Sequence, residues 1–251
     1  MLTEERHRLI LELLEEERMV HSQKLMELLA VSESTIRRDL SQLEEQGLLV
    51  RVHGGAKRRY TLADEQNVQE KSFKNSQEKQ EIAKLAASLI EDGDVVFLDA
   101  GTTTVQMIPF IQSKNITVVT NGLVHATSLM EMGISTFLIG GRIKKKTQAV
   151  IGPAAAAHLE QYCFTKVFLG MNGVDFTFGY TTPDEEEAII KRLALSLGSK
   201  CYVLADYTKI SQVSFCKVAD LTEATLITNV LDEPRHTRYQ TLTTVLETTI
   251  E

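Results

Sequence analysis

Basic and hydroxyl side chains share one side of a predicted helix near the amino terminus. Ile36 and Leu40 lie four residues apart and Leu43 follows them, so one side of this helix is apolar. The residues on the opposite side and its flanks are Ser34, Thr35, Arg37 and Arg38. Arginine binds guanine edges or phosphate in the DNA major groove, and serine or threonine can contact either. The pattern indicates a DNA-contacting helix; the alternative is an ordinary solvated helix in which Arg37 pairs with Glu33 or Ser41.

The flanking segments predict two helices before this one and a short hairpin after it. Residues 3–16 have the spacing of a first helix, and Ser22 can cap a second. The apolar face of the second helix is Leu25, Leu28 and Leu29. Gly47 lies where a capping glycine would end the third helix. A strand at 48–52 then leads into a tight turn, which is typical of a winged helix-turn-helix domain.

The distribution of charge limits how the chain could bind DNA. Its net charge of −7 argues against a general nucleic-acid binder. The positive charge is local instead, and it consists of Arg37, Arg38, Arg51, Lys57, Arg58 and Arg59. Such a patch would bind DNA while the acidic remainder suppresses non-specific contacts. Asp39 lies within the patch, where its carboxylate would repel phosphate, so we expect it to hold an arginine in place.

Composition and residue spacing exclude several classes of protein. The apolar runs are far shorter than a membrane span, and the start MLTEERHRLI lacks a signal-peptide pattern. We therefore expect a cytoplasmic protein with no membrane partner. Cys163, Cys201 and Cys216 lack CxxC spacing, which favours buried reduced thiols over a disulfide or a zinc site. The histidines show no ligand spacing, so we expect neither a metal nor a cofactor.

A second domain follows a charged, apolar-poor connector at 57–76. Apolar strands are predicted at 95–98, 116–120, 136–139, 166–169, 201–205 and 224–228, with helical stretches between most of them. Alternating strands and helices predict an α/β domain with a mostly parallel sheet, extending over residues 77–251. The first domain extends over residues 1–56.

Residues suited to a phosphorylated ligand follow the predicted strands. Asp99 ends the first strand, and Gly101, Thr102, Thr103 and Thr104 come next, just before a helix. Backbone N–H groups, hydroxyls and a glycine can cradle a phosphate, although a simple helix cap is the alternative. The residues that follow the other strands are Thr120, Asn121, Gly141, Arg142, Asn172, Gly173, Asp184, Asp206 and Lys209. Because the GKS, GKT and GxGxxG motifs are absent, a small phosphorylated polyol suits this set better than ATP or NAD.

The run TIRRDLSQLEEQGLLVRVHGGA at 35–56 resembles the amino-terminal signature of the DeoR family of bacterial repressors. The resemblance implies that Ser34, Thr35, Arg37 and Arg38 enter the DNA major groove. It also implies that Arg51 and His53 serve the wing, and we add Ser22 as a DNA-contact candidate. A protein-interaction module is the alternative for this domain.

The motifs DAGTTT, TVVTNG, IGGRIK and FLGMNGVD, with the D-x-x-K of Asp206 and Lys209, resemble the DeoR-family effector domain. That domain is similar to ribose-5-phosphate isomerase, which implies an α/β, Rossmann-like fold and a sugar-phosphate ligand. The isomerase has an acidic D-G-A-D run where this chain has Asn172-Gly173-Val174-Asp175. The lost carboxylate weighs against the alternative, an isomerase-like enzyme with an accessory DNA-binding domain.

Within the family, GMNGVD and residues 179–184 most resemble fructose-operon repressors. The resemblance implies a repressor of a fructose-utilisation operon that fructose 1-phosphate releases from operator DNA. Tagatose 6-phosphate and other ketose or hexose phosphates remain alternatives. We expect a homodimer or homotetramer on double-stranded operator DNA.

Overall fold

The computed structural model describes residues 3–17, 19–46, 48–58, 68–113 and 115–248. The chain divides into two compact units, residues 1–61 and 62–251, and each is described by itself. Gly47 and residues 59–67 of the predicted connector lie outside the described residues.

The first unit has the winged helix-turn-helix architecture that the sequence predicts. Its helices are α1 (Thr3–Glu17), α2 (Ser22–Leu29) and α3 (Glu33–Glu45), and its strands are β1 (Met19–His21), β2 (Leu49–Val52) and β3 (Gly55–Arg58). The strands form an antiparallel sheet in the order β1-β3-β2. Because β3 includes Lys57 and Arg58, the predicted connector begins later than expected.

Apolar side chains from all three helices and the small sheet hold this unit together. The fully buried members include Ile10, Leu25, Ile36, Leu40 and Leu49. Leu28 was expected beside Leu25 and Leu29, but it is 54% exposed, because the buried side of α2 is the one that Leu25 and Leu29 share four residues apart.

Helix caps explain two features of the first unit. The Ser32 hydroxyl caps α3 by accepting a hydrogen bond from the backbone N–H of Thr35 at 3.4 Å. The prediction that Ser22 caps α2 is wrong, because His21 occupies the N-cap position and Ser22 is the first helical residue. The Ser22 N–H instead donates to the carbonyl of Gly54 at 2.8 Å, which ties α2 to the β2–β3 turn.

The turn between β2 and β3 depends on glycine. Gly54 has a φ of +80°, which favours glycine because a side chain is disfavoured there. A Cβ atom on Gly55 would lie 2.2 Å from the carbonyl oxygen of Val20, so only glycine lets β3 approach β1. The wing is therefore fixed by two adjacent glycines.

The second unit is an α/β domain. Its elements are α4 (Val68–Phe73), α5 (Ser76–Ala87), β4 (Val95–Leu98), α6 (Thr102–Val105), β5 (Thr117–Thr120), α7 (Leu123–Glu131), β6 (Ser135–Leu138), β7 (Arg142–Lys144), β8 (Ala149–Ile151), α8 (Pro153–Leu159), β9 (Phe164–Gly170), β10 (Gly173–Asp175), β11 (Gly179–Thr182), α9 (Glu185–Leu197), β12 (Gly198–Leu204), β13 (Cys216–Ala219), β14 (Thr225–Thr228), α10 (Glu233–Gln240) and β15 (Val245–Glu247). The six predicted strands correspond to β4, β5, β6, β9, β12 and β14. Because α4 is helical, the predicted connector also ends earlier than expected.

A seven-stranded parallel sheet in the order β15-β14-β12-β9-β4-β5-β6 forms the centre of this unit. Alternate residues of each strand enter different cores, so that Val167 and Leu169 pack on one face and Phe168 on the other. The sheet is thus buried on both faces, as parallel sheets are.

Short elements and cysteine environments depart from the sequence-based expectations. The strands β10, β11 and β13 form a separate antiparallel sheet, and β7 pairs with β8 in a hairpin. These strands are only three or four residues long, so they lack a readable periodicity. All three cysteines are free, as expected, but Cys163 is exposed and Cys201 and Cys216 are half-buried.

Candidate functional site

The outward face of α3 presents the polar side chains that the sequence predicts there. Ser34, Arg37 and Arg38 are exposed, and Thr35 is half-buried. Arg37 forms the intrahelical pair considered above, with Nη2 3.2 Å from Glu33 Oε1. Arg38 has no ion-pair partner within the described ranges. Its guanidinium is therefore available to a groove or a phosphate.

The predicted wing residues differ in their contacts. Arg51 donates through Nη1 to the hydroxyl of Ser41 at 2.8 Å, and its backbone N–H donates to Glu44 Oε1 at 2.9 Å. Both contacts anchor the wing to α3. His53 is exposed in the turn between β2 and β3.

The buried carboxylate of Asp39 fixes α3 on α1. Arg6 donates from Nε to Oδ2 at 2.8 Å and from Nη2 to Oδ1 at 2.9 Å. Nε2 of His7 lies 3.3 Å from Oδ1. The hydrogen bond to Asp39 raises the pKa of Arg6 above its usual value. The expectation that Asp39 holds an arginine is confirmed, and that arginine lies on α1.

In the second unit, the parallel sheet brings several predicted ligand residues to its carboxyl edge. Asp99 follows β4 and Asn121 follows β5, and their preceding residues, Leu98 and Thr120, are register partners. Asn172 follows β9, and Asp206 follows β12. Ligands bind beyond this edge in open α/β sheets, so these residues form one candidate site.

A lysine that the sequence analysis missed lies at the centre of this edge. Lys191 is buried on α9, and its Nζ pairs with Asp99 Oδ2 and donates to the carbonyl of Gly170 at 2.8 Å. The N–H of Gly170 also donates to Asp99 Oδ2 at 3.2 Å. Lys191 shares a helix face with Ala188 and Ala194, which are buried. The signal that could have identified Lys191 in the sequence was a lysine among the apolar residues on one face of a helix.

Three predicted ligand residues form hydrogen bonds with the protein itself. The Thr104 hydroxyl bonds the carbonyl of Asp99 at 2.5 Å, and the Thr120 hydroxyl donates to the carbonyl of Leu98 at 2.6 Å. Asn121 accepts from the N–H of Ala100 at 2.9 Å. These side chains shape the loops of the site, and their polar atoms are already occupied.

The loop after β4 keeps two hydroxyls available. Thr102 is half-buried and Thr103 is buried, and neither hydroxyl has a hydrogen-bond partner among the residues described. Gly101 precedes α6, where its N–H donates to the Thr104 hydroxyl at 3.0 Å. Because α6 is only four residues long, its helix dipole would support a bound phosphate only weakly.

Buried His125 lies behind this loop. Its Nε2 is 3.0 Å from the Thr104 hydroxyl. Burial lowers the pKa of His125 to about 3, so the ring is neutral. It supports the loop without adding charge to the site.

A second polar cluster follows β12. Asp206 accepts from the N–H of Thr208 at 3.0 Å and from Nδ2 of Asn75 at 3.2 Å. Buried Lys79 on α5 donates to the carbonyl of Lys74 at 2.7 Å, and burial lowers its pKa to about 8. Lys209 is half-buried and has no ion-pair partner among the described residues, so its charge is available to a ligand.

Ion pairs attach the β7–β8 hairpin to α9. Arg142 pairs with Glu186, and Lys144 lies 2.8 Å from Asp184 and 3.2 Å from Glu187. Burial opposes ionisation of Asp184, but the hydrogen bond from Lys144 and its capping role hold its pKa below the usual range. Arg142 and Asp184, both predicted ligand residues, thus secure this hairpin.

The remaining predicted positions are close-packed. A Cβ atom on Gly141 would lie 2.9 Å from the carbonyl oxygen of Ile151, and one on Gly173 would lie 2.5 Å from that of Gln212. Asn172 accepts a hydrogen bond from the Thr182 hydroxyl at 3.1 Å. The two glycines permit tight loop packing at the rim of the site.

Two kinds of feature are absent from the part of the chain that the structure describes. No cluster of three or more histidine, cysteine or acidic residues there could hold a metal ion. No helix there is long and apolar enough to cross a membrane.

Family models match both units. The model of the DeoR-like helix-turn-helix domain matches residues 6–61, and that of the DeoR C terminal sensor domain matches residues 74–230. The chain therefore belongs to the DeoR family of transcriptional regulators. It is a DNA-binding regulator rather than an enzyme.

Curated relatives and solved structures give more detail. The chain is 48% identical over 246 residues to the "Uncharacterized HTH-type transcriptional regulator FruR" of Bacillus subtilis (strain 168), covering 98% of each chain. It is 36% identical over 232 residues to the "Lactose phosphotransferase system repressor" of Staphylococcus aureus (strain NCTC 8325 / PS 47), covering 91% of each. Ribose 5-phosphate isomerase A from Methanocaldococcus jannaschii matches with a TM-score of 0.41 and 18% identity, over 54% of this chain and 55% of that chain.

Proposed function

We propose that this regulator represses a sugar-utilisation operon, specifically one for fructose, and that fructose 1-phosphate releases it from operator DNA. Two relatives support the sugar class, the regulator named FruR and the lactose phosphotransferase system repressor. Tagatose 6-phosphate and other ketose or hexose phosphates are the alternative effectors.

The effector site of this proposal is the carboxyl edge of the parallel sheet. The observation that carries it is the row of charged and polar side chains there, two of which, Asp99 and Asp206, are almost fully buried. Lys209, Thr102 and Thr103 have polar groups free to hold a phosphate. Buried charges are costly, so their concentration at one edge favours a polar ligand.

The DNA-binding side of the proposal rests on α3. The contacts to the major groove would come from Ser34, Thr35, Arg37 and Arg38. His53 and Arg51 would contact the adjacent DNA backbone, and Ser22 would contact a phosphate near the start of α2. Two or four subunits would place their α3 helices in successive major grooves of a repeated or inverted operator.

Sugar-phosphate binding can weaken DNA binding only if the ligand prefers one arrangement of the chain over another. Couplings of this kind are typically worth about 1–3 kcal/mol, or roughly 5- to 150-fold in operator affinity. The ligand effect on DNA binding should fall in that range.

A pair of variants tests the two sites separately. Arg38→Ala should weaken operator binding about 5- to 150-fold and leave sugar-phosphate binding unchanged, because it removes one groove contact of about 1–3 kcal/mol. Lys209→Ala should leave operator binding intact and raise the fructose 1-phosphate concentration needed for release. Fluorescence anisotropy measures operator binding and its release by fructose 1-phosphate, and calorimetry measures sugar-phosphate binding. Loss of both activities in either variant would contradict the assignment.

A further inference from the structure

The buried Lys191–Asp99 pair has hydrogen-bonding capacity that the protein leaves unused. Lys191 donates to Asp99 Oδ2 and to the carbonyl of Gly170, which accounts for two of the three N–H groups of its ammonium. Asp99 Oδ2 also accepts from the N–H of Gly170, whereas Oδ1 has no hydrogen-bond partner among the described residues. One acceptor and one donor therefore remain side by side.

Two glycines border this pair. Gly101 and Gly170 lie on either side of the Asp99 carboxylate, and a Cβ atom on either would come within 3.8 Å of Oδ2. The same Cβ atoms would lie 3.6 Å from the opposite glycine's Cα. A side chain at either position would add cover to the Asp99–Lys191 pair at the carboxyl edge of the sheet, and glycine does not.

An adjacent acceptor and donor suit a polyol better than a phosphate. A carboxylate oxygen would repel a phosphate but accepts a hydrogen bond from a hydroxyl, and an ammonium donates to the oxygen of the next hydroxyl or carbonyl. Lys209 lies after β12, and one strand, β9, separates β12 from β4. The two places would therefore suit a ligand with a phosphate at one end and hydroxyls at the other.

We propose that Lys191, together with Asp99, binds the sugar end of the effector and so determines which phosphorylated compound the regulator detects. This proposal rests on the proposed function and deepens it, because it assigns the polyol and the phosphate to different groups. Lys191 is then a specificity-determining residue, and Lys209 binds the phosphate.

The chain offers a matched control at the opposite edge of the same sheet. Lys166 is buried to the same degree as Lys191 and pairs with Asp94, but both lie at the amino ends of β4 and β9. Replacing either pair by neutral residues removes a buried ion pair from the sheet. Only the pair at the carboxyl edge should affect ligand choice.

The test uses two double variants of the full chain, Asp99→Asn with Lys191→Met and Asp94→Asn with Lys166→Met. Neutralising both partners avoids a bare buried charge, which would itself unfold the protein. Calorimetry would measure binding of inorganic phosphate and of four sugar phosphates: fructose 1-phosphate, fructose 6-phosphate, tagatose 6-phosphate and glucose 6-phosphate. Circular dichroism would establish that each variant is folded.

The expected result is selective. The carboxyl-edge variant should bind the best sugar phosphate about 10- to 100-fold more weakly, as expected for lost hydrogen bonds to charged groups, with inorganic phosphate unchanged. The amino-edge variant should bind both as the wild type does. If the folded carboxyl-edge variant kept its sugar-phosphate affinity, or lost phosphate and sugar phosphate equally, the role of Lys191 would be refuted. If the wild type bound no sugar phosphate at all, the proposed effector class would fail, and this role with it.

Discussion

The two edges of the seven-stranded sheet each hold a buried lysine paired with an aspartate, and the two pairs differ in how completely the protein satisfies them. At the amino edge, Lys166 lies 2.7 Å from Asp94 Oδ2 and 2.6 Å from Glu91 Oε2. At the carboxyl edge, Lys191 pairs with a single carboxylate, that of Asp99, and with a backbone carbonyl. The ammonium of Lys166 therefore has two carboxylate partners, whereas that of Lys191 has one.

The amino-edge pair is closed to any ligand. Asp94 Oδ1 accepts from the Thr165 hydroxyl at 2.7 Å, and Oδ2 accepts from Lys166 and from the N–H of Glu91, also at 2.7 Å. Burial opposes ionisation of Asp94, but these hydrogen bonds lower its pKa below the usual value. A fully bonded pair stabilises the fold, whereas a partly bonded pair at the carboxyl edge of the sheet is suited to bind a ligand.

Removing the amino-edge lysine should have the largest effect on stability. Lys166→Met leaves Asp94 buried beside an unpaired Glu91, and breaking a buried ion pair in this way costs about 3–5 kcal/mol. Lys191→Met should cost less, because it leaves one carboxylate, that of Asp99, without its ammonium, whereas Lys166→Met leaves two. Urea denaturation of the full chain, followed through the sensor-unit transition, measures both. Equal losses would show that the two pairs do not differ as described.

Glycines at the two edges should also respond differently to alanine. A Cβ atom on Gly198, at the start of β12, would lie 2.5 Å from Val167 Cγ2, so Gly198→Ala should cost about 1–3 kcal/mol through overpacking. A Cβ atom on Gly170 meets the nearest atom at 3.6 Å, so Gly170→Ala should fold normally but hinder sugar-phosphate binding. Thermal unfolding measures the stability of the Gly198→Ala and Gly170→Ala proteins, and calorimetry measures their affinity for sugar phosphates. A Gly170→Ala protein with full ligand affinity would contradict ligand binding beside Asp99.

The closed pair predicts a specific loss of stability in acid. Because the folded-state pKa of Asp94 is depressed, its contribution is fully present above its unfolded pKa of about 3.9. The contribution disappears as the pH falls through the lower, folded-state value. Urea midpoints measured from pH 6 downwards should therefore decline less steeply for Asp94→Asn than for the wild type. Parallel curves for the two proteins would exclude Asp94 as the cause.

The smallest predicted effect is on the pH dependence of stability and comes from Lys79. This lysine differs from Lys166 and Lys191 in that its hydrogen bonds go to backbone carbonyls. Its ammonium donates to backbone carbonyls, and burial lowers its pKa to about 8. Between that value and the unfolded pKa of about 10.4, the unfolded chain binds a proton that the folded chain does not. Stability should therefore rise with pH across this window in the wild type and not in Lys79→Met. A difference between the two proteins that is independent of pH would contradict the shift.

The periodic parts of the chain were predictable because their residues act locally. The spacing of Ile36 and Leu40 predicts α3 and its buried side, and the apolar run at 95–98 predicts β4. The carboxyl ends of parallel strands meet at one edge of the sheet. Because Asp99 and Asp206 each follow a predicted strand, the sequence also predicts that they share that edge.

The parts that sequence reasoning missed depend on distant contacts. Lys191 reaches Asp99 across 92 residues, and no local pattern identifies such a partner. The hydroxyl of Thr104 was expected on a phosphate, whereas in the fold it bonds nearby loop atoms that only the three-dimensional structure brings into range. Leu28 shows the same limitation, because its exposure depends on which side of α2 packs against the rest of the unit.

The central claim is that a sugar phosphate at the carboxyl edge releases this regulator from its operator. The most direct measurement titrates the full chain onto its own upstream DNA by fluorescence anisotropy at a fixed salt concentration, with and without fructose 1-phosphate. We predict tight binding that fructose 1-phosphate weakens about 5- to 150-fold in the wild type. The neutralised Asp99–Lys191 variant should bind the DNA equally tightly and respond far less. Binding no tighter than to unrelated DNA, or tight binding that no sugar phosphate of the panel changes, would contradict it.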